Sequence, residues 1–600
     1  MTSLKLLIVG TLVLVGCEAS ILSSPLSPES KGGAEPTSAS PSAPGTVPTS
    51  GEPQAPGHGT VPGGTGGAGG STGAGGATGA PNECDGISPN TASPAVFRRL
   101  TNDQYSASAR DLLAAPSAVV TLQAQAGLTV TDVEVQKLVL AVEQLVALKK
   151  HGSFATCSLD GAADASCAGK FIDALGRMAF RRTLAADEKA LLVAVYDTTL
   201  KTTGLSSPIT FREAIDTVAQ VILQSPQMLY VKEHGVADTA LPPGIKRLSG
   251  PERASRLSYV LWGSTPDKVL LDAAESGALD TEAGVRTQAT RMLTDARAHA
   301  AVKRFASQWL SLDATTRQPS IESVPKSAAL FPYDSLALRA AMRTESEALY
   351  ERVFYKPGSS FAELMTTTDA YVNGPLATLY GVTGGPTTAA QFAWTTLDSQ
   401  KRAGLFTRLA FLAHKSGAEH QSPIQRGVSL LRNALCLPLP DPPPNADDTP
   451  PTNSGATVKS IRELTDAKTA GAQCQSCHKA INGLGYTLEN FGAMGQHQTA
   501  DTFTLNGVTT SVPVNSTSTV NAADLPGTLS GATHLAQALA QSGAAHDCQV
   551  QTWYFKAFDR KPALEDMCAL NGLRDEFKKT HDMRSMLLSL TSSGPALFIR

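Results

Sequence analysis

Several things are scarce in this chain of 600 residues, and each scarcity excludes something. Beyond the first seventeen positions there is no run of about 18 uninterrupted apolar residues, so no membrane-spanning helix is expected there. Positive charge is not in excess, with 50 Lys and Arg against 53 Asp and Glu. Without a basic stripe, nucleic acid is not an expected partner. The phosphate-loop pattern and the His-Glu-x-x-His metalloprotease helix are both absent. No dinucleotide fingerprint occurs outside a Gly-rich N-terminal stretch, and no internal repeat is found. Catalytic carboxylate pairs cannot be picked out by spacing. Paired cysteine motifs are scarce too: there is one, and it carries most of the chemistry that the sequence offers.

That motif is Cys474-Gln-Ser-Cys477-His478. Two cysteines two residues apart, followed at once by histidine, form the attachment signature of a c-type haem. Each thiol adds to one vinyl group, and the adjacent imidazole is carried beneath the ring to ligate iron. Cys474 and Cys477 are therefore the expected covalent attachment points for haem c, with His478 as proximal iron ligand. A disulfide or a zinc knuckle would use the same residues. Zinc would need further ligands from a partner motif, and no second Cys or His pair exists. A thioredoxin-like pair would want a βαβ setting, which the pattern lacks. For the sixth iron position Met494, His497, His414 and His420 are the candidates, and an open position is a further option. Methionine would raise the potential and a second histidine would lower it. Tyr486, Leu488 and Phe491 suit an apolar haem wall or, equally, a buried helix face.

The N-terminus points to export. Lys5 precedes the apolar run Leu6–Val15, which is too short to span a bilayer. Leu14-Val15-Gly16-Cys17 reads as a lipobox, so Cys17 is the expected lipidated first residue of the mature chain. Several acyl chains on one residue hold far better than one. The expected location is the outer membrane or cell surface, or else the periplasmic side, with the membrane reached through this lipid. From Ser23 to Pro81 the chain is Pro, Gly, Ser, Thr and Ala of low complexity and cannot bury a core. As a flexible tether of about 60 residues it would span about 40–45 Å. Within it Gly69-Gly-Ser-Thr-Gly73 matches a nucleophile elbow only in composition, with no flanking strand or helix.

The cysteine count agrees with an oxidising compartment. Of nine cysteines, one would take lipid and two haem, leaving Cys84, Cys157, Cys167, Cys436, Cys548 and Cys568. Sequence proximity favours Cys157 with Cys167 and Cys548 with Cys568, which would leave Cys84 for Cys436.

From Phe97 onward the pattern is helical. Thr101-Asn-Asp-Gln104 and Ser249-Gly-Pro-Glu252 are capping boxes, and Ser422-Pro-Ile-Gln425 adds a third with proline at the first helical position. Apolar stripes predict helices over Val130–Lys149, Phe171–Phe180, Ala186–Tyr196, Phe211–Tyr230, Ala296–Leu312 and Leu336–Phe354, and again between His534 and Leu590. One hairpin is expected, Thr502–Leu505 and Val508–Val512 about Asn506-Gly507. Arg177, Arg181 and Arg182 read as salt-bridge anchors or a solvated face.

Several segments together carry a resemblance. They include Arg98-Arg-Leu-Thr-Asn-Asp-Gln-Tyr105, Phe180-Arg-Arg-Thr-Leu184, Ile222-Leu-Gln-Ser-Pro-Gln-Met-Leu-Tyr230 and Leu257-Ser-Tyr-Val-Leu-Trp262. Gly404-Leu-Phe-Thr407, Ser422-Pro-Ile-Gln-Arg-Gly427, Cys474–Gly495 and Asp582–Phe598 complete them. In these the chain resembles the planctomycete-type surface cytochromes, exported multi-module proteins of largely unknown function. The resemblance implies export, a largely helical fold and a haem-attachment motif in the fourth module. This chain departs from the usual pattern after that motif. It has Asn482-Gly483-Leu484-Gly485-Tyr486 where the family has Asp-Pro before Gly-Phe, and Gly495-Gln496 where it has Gly-Arg.

The expected fold class is mainly α: a multi-module helical protein with a c-type cytochrome-like module and one small β-hairpin. The expected order is a signal peptide over 1–17, a tether over 18–82, an N-terminal helical module over 83–150, and a helical module with a candidate disulfide over 151–240. A large helical module over 241–395, a cytochrome-like module over 396–515 and a C-terminal helical module over 516–600 follow. The expected function is electron transfer through one covalent haem to an unnamed redox partner protein, with or without substrate oxidation by the helical modules. The alternative is a non-redox surface binding or structural lipoprotein whose Cys-x-x-Cys-His holds zinc or a disulfide.

Overall fold

Hydroxyl-bearing residues cap several of the helices, both where the sequence predicts a helix and, at Ser460, where it does not. In the computed structural model, Thr101, Thr131, Thr210, Ser249 and Ser460 each accept from the backbone N–H three residues on. Gln104, Glu134, Glu213, Glu252 and Glu463 return the bond to the cap's own N–H. Each such cap contributes about 1 kcal/mol. At the head of the helix Pro423–Ser429 only half of the expected box forms: Ser422 accepts from the Gln425 N–H, with no return bond from the Gln425 side chain among the described residues. The structure describes residues 94–118, 129–148, 154–315, 318–443, 457–562 and 566–600, with a few positions between them. The expectations for the signal segment, the Gly-rich stretch, Cys17 and Cys84 lie outside these residues.

The described fold is mainly α, with strands only in small pairs and one three-stranded sheet. The predicted hairpin is present, Ala500–Leu505 against Val508–Pro513, turning at Asn506 and Gly507, both with positive φ. The other strand pairs are additions to the expectation, and two of them join distant residues. Phe97–Arg99 pairs with Tyr230–Lys232, and Phe598–Ile599 pairs with Lys246–Arg247. The segments are two to three residues long, so no periodicity announces them. The stripe expected to run as helix from Phe211 to Tyr230 stops at Gln224. Ser225 turns extended before Pro226, since the residue preceding proline is disfavoured in helix; a short helix Pro226–Leu229 follows, and Tyr230 opens a strand.

The arginine cluster anchors rather than binds. Arg177 pairs with Asp272 and Glu275, and Arg182 with Glu188. Buried Arg181 donates to the carbonyls of Gln227 and Tyr230, holding the turn where that stripe breaks.

One apolar core runs from Ala254 to Ala596. Its centre is aromatic: Phe305 stacks on Trp553 at 3.8 Å, and Tyr350 Oη accepts from Trp553 Nε1 at 3.1 Å and Gln549 Nε2 at 2.6 Å. The helix Gly543–Phe558 is thereby docked onto Ala296–Trp309 and Leu336–Tyr355. That docking decides a disulfide. Cys436 bonds Cys548, with Cα atoms 5.1 Å apart across 112 residues. The expected Cys548–Cys568 pair is therefore overturned, and with it Cys84–Cys436. Cys548 is buried and faces the turn after residues 430–434 rather than the next helix, Met567–Thr580. Cys568 is disulfide-bonded, but not to Cys548. The local pair Cys157–Cys167 forms as expected. No helix among the described residues is long and apolar enough to cross a membrane.

Candidate haem-attachment site

The motif sits on the helix Ala472–Tyr486, which has two unlike halves. From Ile481 onward every residue to Glu489 is buried. The first half stands out of the core: Cys474 is exposed, while Cys477 and His478 are half-buried. Spacings of three and four place Cys474, Cys477 and His478 on one helical face.

The buried half is fixed by crossing the helix Pro423–Ser429 at backbone distance. A Cβ on Gly427 would lie 1.9 Å from the Ile481 carbonyl oxygen, and one on Gly485 would lie 2.0 Å from that of Pro423. Only glycine permits this approach at either point. Between them the wholly buried Arg426 donates to the carbonyls of Leu488, Phe491 and Gly492 and to Ser416 Oγ. Burial pushes its guanidinium down to about 9, still charged at neutral pH. Arg402 donates to the Gly495 carbonyl and lies 4.6 Å from the rings of both Tyr380 and Phe491. Lys326 donates to the carbonyls of Ala413, Gly417 and Ala493, and burial pushes its ammonium down to about 7. These three cations bind the loop after the motif helix to the rest of the module. Sequence reading passed over them because a single buried cation has no sequence signature.

His478 has a defined partner. Its Nδ1 lies 3.1 Å from Asn482 Oδ1 one turn on, and Asn482 Nδ2 lies 2.9 Å from Thr469 Oγ1. Asn482 and Thr469 are buried. No hydrogen bond engages His478 Nε2 among the described residues.

The sixth-ligand candidates have other neighbours. His414 is buried, its Nε2 lies 2.9 Å from the Pro319 carbonyl oxygen, and burial pushes it down to about 4. Met494 is 1% exposed within the apolar core. His420 packs on the Phe503 ring and His497 edge-on against Phe491. Leu488 and Phe491 are wholly enclosed, which is the buried-face alternative for these residues. Tyr486 donates to Asp466 at 2.5 Å beneath the Arg462 guanidinium. Beside it Glu489, though 2.8 Å from Arg462, is pushed up to about 8 by burial.

The donor set suits covalent haem better than zinc. Cys474 and Cys477 are the free thiols among the described residues, whereas the other described cysteines are in disulfides. Among the described residues no three or more His, Cys, Asp or Glu side chains converge as metal ligands do. Zinc demands that convergence at about 2.0–2.3 Å per ligand. Haem attachment demands instead two thiols spread along one accessible face and an imidazole nitrogen left open. The residues present meet that demand.

Neither the curated proteins nor the solved structures contain a match to this chain. Three family models do match. Residues 167–233 match PSD5, a protein of unknown function (DUF1595), and residues 248–382 match PSD4, a protein of unknown function (DUF1592). Residues 402–501, which include the motif helix, match PSCyt3, a protein of unknown function (DUF1588). Three successive stretches of the chain are thus similar to the planctomycete cytochrome-like families, whose function is unknown.

Proposed function

We propose that this protein is an exported, lipid-anchored c-type cytochrome that passes single electrons through one haem held at Cys474, Cys477 and His478. The observation that carries this reading is the pair of free thiols on one helix face, Cys474 exposed and Cys477 half-buried, beside an imidazole whose Nε2 has no hydrogen-bond partner among the described residues. Each thiol would add across a vinyl group, its sulfur bonding the inner carbon and its proton passing to the outer one. His478 Nε2 would ligate the iron from below. When bound, the haem supplies a one-electron Fe(III)/Fe(II) couple. The chain's part is to keep the group from dissociating, to orient His478 and to wall one side of the site with the buried half of the motif helix. For the sixth position Met494, His497, His414 and His420 are the candidates, and an open position is the alternative. The disulfides Cys157–Cys167 and Cys436–Cys548 fit the oxidising side of a membrane, where haem is also attached.

The test is a pyridine haemochrome spectrum of the full chain, produced with c-type maturation machinery and extracted with acid acetone. A haem band retained with the protein is expected, lost from Cys474→Ala/Cys477→Ala. A wild-type protein without any such band would sink the reading and leave a binding or structural lipoprotein.

A further inference from the structure

His478 is held by a chain of hydrogen bonds in which each member dictates the direction of the next. The Thr465 carbonyl is an acceptor only, and Thr469 Oγ1 lies 2.9 Å from it, so the hydroxyl proton goes there. Thr469 Oγ1 then faces Asn482 with a lone pair, and the group 2.9 Å away must be a donor. That fixes the Asn482 amide with Nδ2 toward Thr469 and Oδ1 toward His478. Oδ1 is an acceptor only, and His478 Nδ1 lies 3.1 Å from it. Nδ1 must therefore carry a proton. In a neutral ring Nε2 is then bare, with its lone pair free for a metal. Thr465, Thr469 and Asn482 are all at most 5% exposed, so water does not compete for these bonds.

We propose that Asn482, oriented by Thr469, is the positioning residue that selects the iron-ligating tautomer of His478 and tunes its donor strength. The proposal deepens the cytochrome reading and rests on it. A partner that accepts from the ligand's second nitrogen fixes ring orientation and raises basicity at the first. A neutral amide does this more weakly than a carboxylate would. Asn482 thus keeps the reduction potential above the value that aspartate at the same place would impose.

Two readouts test this. The first is ¹⁵N NMR of histidine-labelled, haem-free full chain, with the His478 signals assigned by their loss in His478→Gln. Wild type should give the Nδ1–H pattern, and Asn482→Leu and Thr469→Val should move it toward Nε2–H. The second is the midpoint potential of haem-loaded protein, expected to shift negative in the near-isosteric Asn482→Asp and positive in Asn482→Leu. A wild-type Nε2–H tautomer, or one unmoved in Asn482→Leu, overturns the proposal. So does a potential unmoved in Asn482→Asp. If no haem is retained, the cytochrome reading fails, and the tautomer measurement still decides what Asn482 does.

Discussion

At Gly427 and Gly485 two helices touch through their backbones, and the cost of any side chain there can be stated. Replacing either by alanine puts a methyl within 2.0 Å of a carbonyl oxygen, and both partners are main chain that cannot rotate away. Gly427→Ala should therefore destabilise the protein by about 3 kcal/mol, the upper part of the overpacking range. Urea denaturation measures this, and a loss below about 1 kcal/mol would refute the contact. Glu345 is a residue-scale case of the opposite kind. It is wholly buried and accepts the Tyr380 hydroxyl on both oxygens, with Arg402 and Arg408 nearby. Burial outweighs those cations and pushes its carboxyl up to about 7 from 4.5. Between those values the folded protein holds a proton that the unfolded chain has released, so stability falls as pH rises through the window. Glu345→Gln should remove that contribution. The stability difference between wild type and variant should move against wild type from about pH 5 to about pH 7. A difference that stays constant across denaturation curves in that interval would show the carboxyl ionised throughout. None of these residues is conspicuous in the sequence, because a buried charge or a backbone contact is a property of its neighbours.

Among elements, the helices were legible and their partners were not. Thr101-Asn-Asp-Gln104 and Ser249-Gly-Pro-Glu252 could be read directly because a cap depends on residues only three apart. Asn506-Gly507 was legible for the same local reason. Cysteine pairing failed where it required long-range knowledge: proximity gave Cys157–Cys167 correctly and Cys548–Cys568 wrongly. Cys436–Cys548 ties the turn after residues 430–434 to the helix Gly543–Phe558. Opening it by Cys436→Ser/Cys548→Ser should cost about 2–5 kcal/mol, the usual effect of losing a native disulfide. Thermal unfolding of the variant under non-reducing conditions checks this, and an unchanged Tm would mean that the helix docks without help. The motif helix belongs to the same scale. Its chemistry lies in five consecutive residues, but the burial of its second half comes from the crossing helix.

For the molecule as a whole, the chain's last residues close onto its middle. Phe598–Ile599 pairs with Lys246–Arg247, and Phe598 lies under the Arg247 guanidinium. Just before it, the Pro595 carbonyl accepts from Arg256, whose guanidinium also pairs with Glu233 at 2.6 Å. Glu233 in turn accepts from the Val96 N–H. Both partners of the Arg256–Glu233 pair are nearly buried, so removing one strands the other at a cost of about 3–5 kcal/mol. Arg256→Met is expected to destabilise by that order. Deleting residues 598–600 should cost about 3 kcal/mol from the lost burial of Phe598 and Ile599. Calorimetry on the full chain reads both, and wild-type transitions in both variants would mean that this closure contributes nothing.

The sequence by itself determined what is local: helix starts, the hairpin turn, the ten-residue disulfide and the Cys474-Gln-Ser-Cys477-His478 signature. These depend on spacing within one or two turns of chain, where geometry follows from covalent connection. Only the tertiary structure decided which cysteine meets Cys548, which short strands pair across long stretches of sequence, and which buried basic side chains hold the loop beyond the motif. It also decided that Thr469 and Asn482 stand in line behind His478. Those arrangements join residues that sequence spacing does not relate, and they exist because burial leaves each polar group only the partners that packing brings within reach.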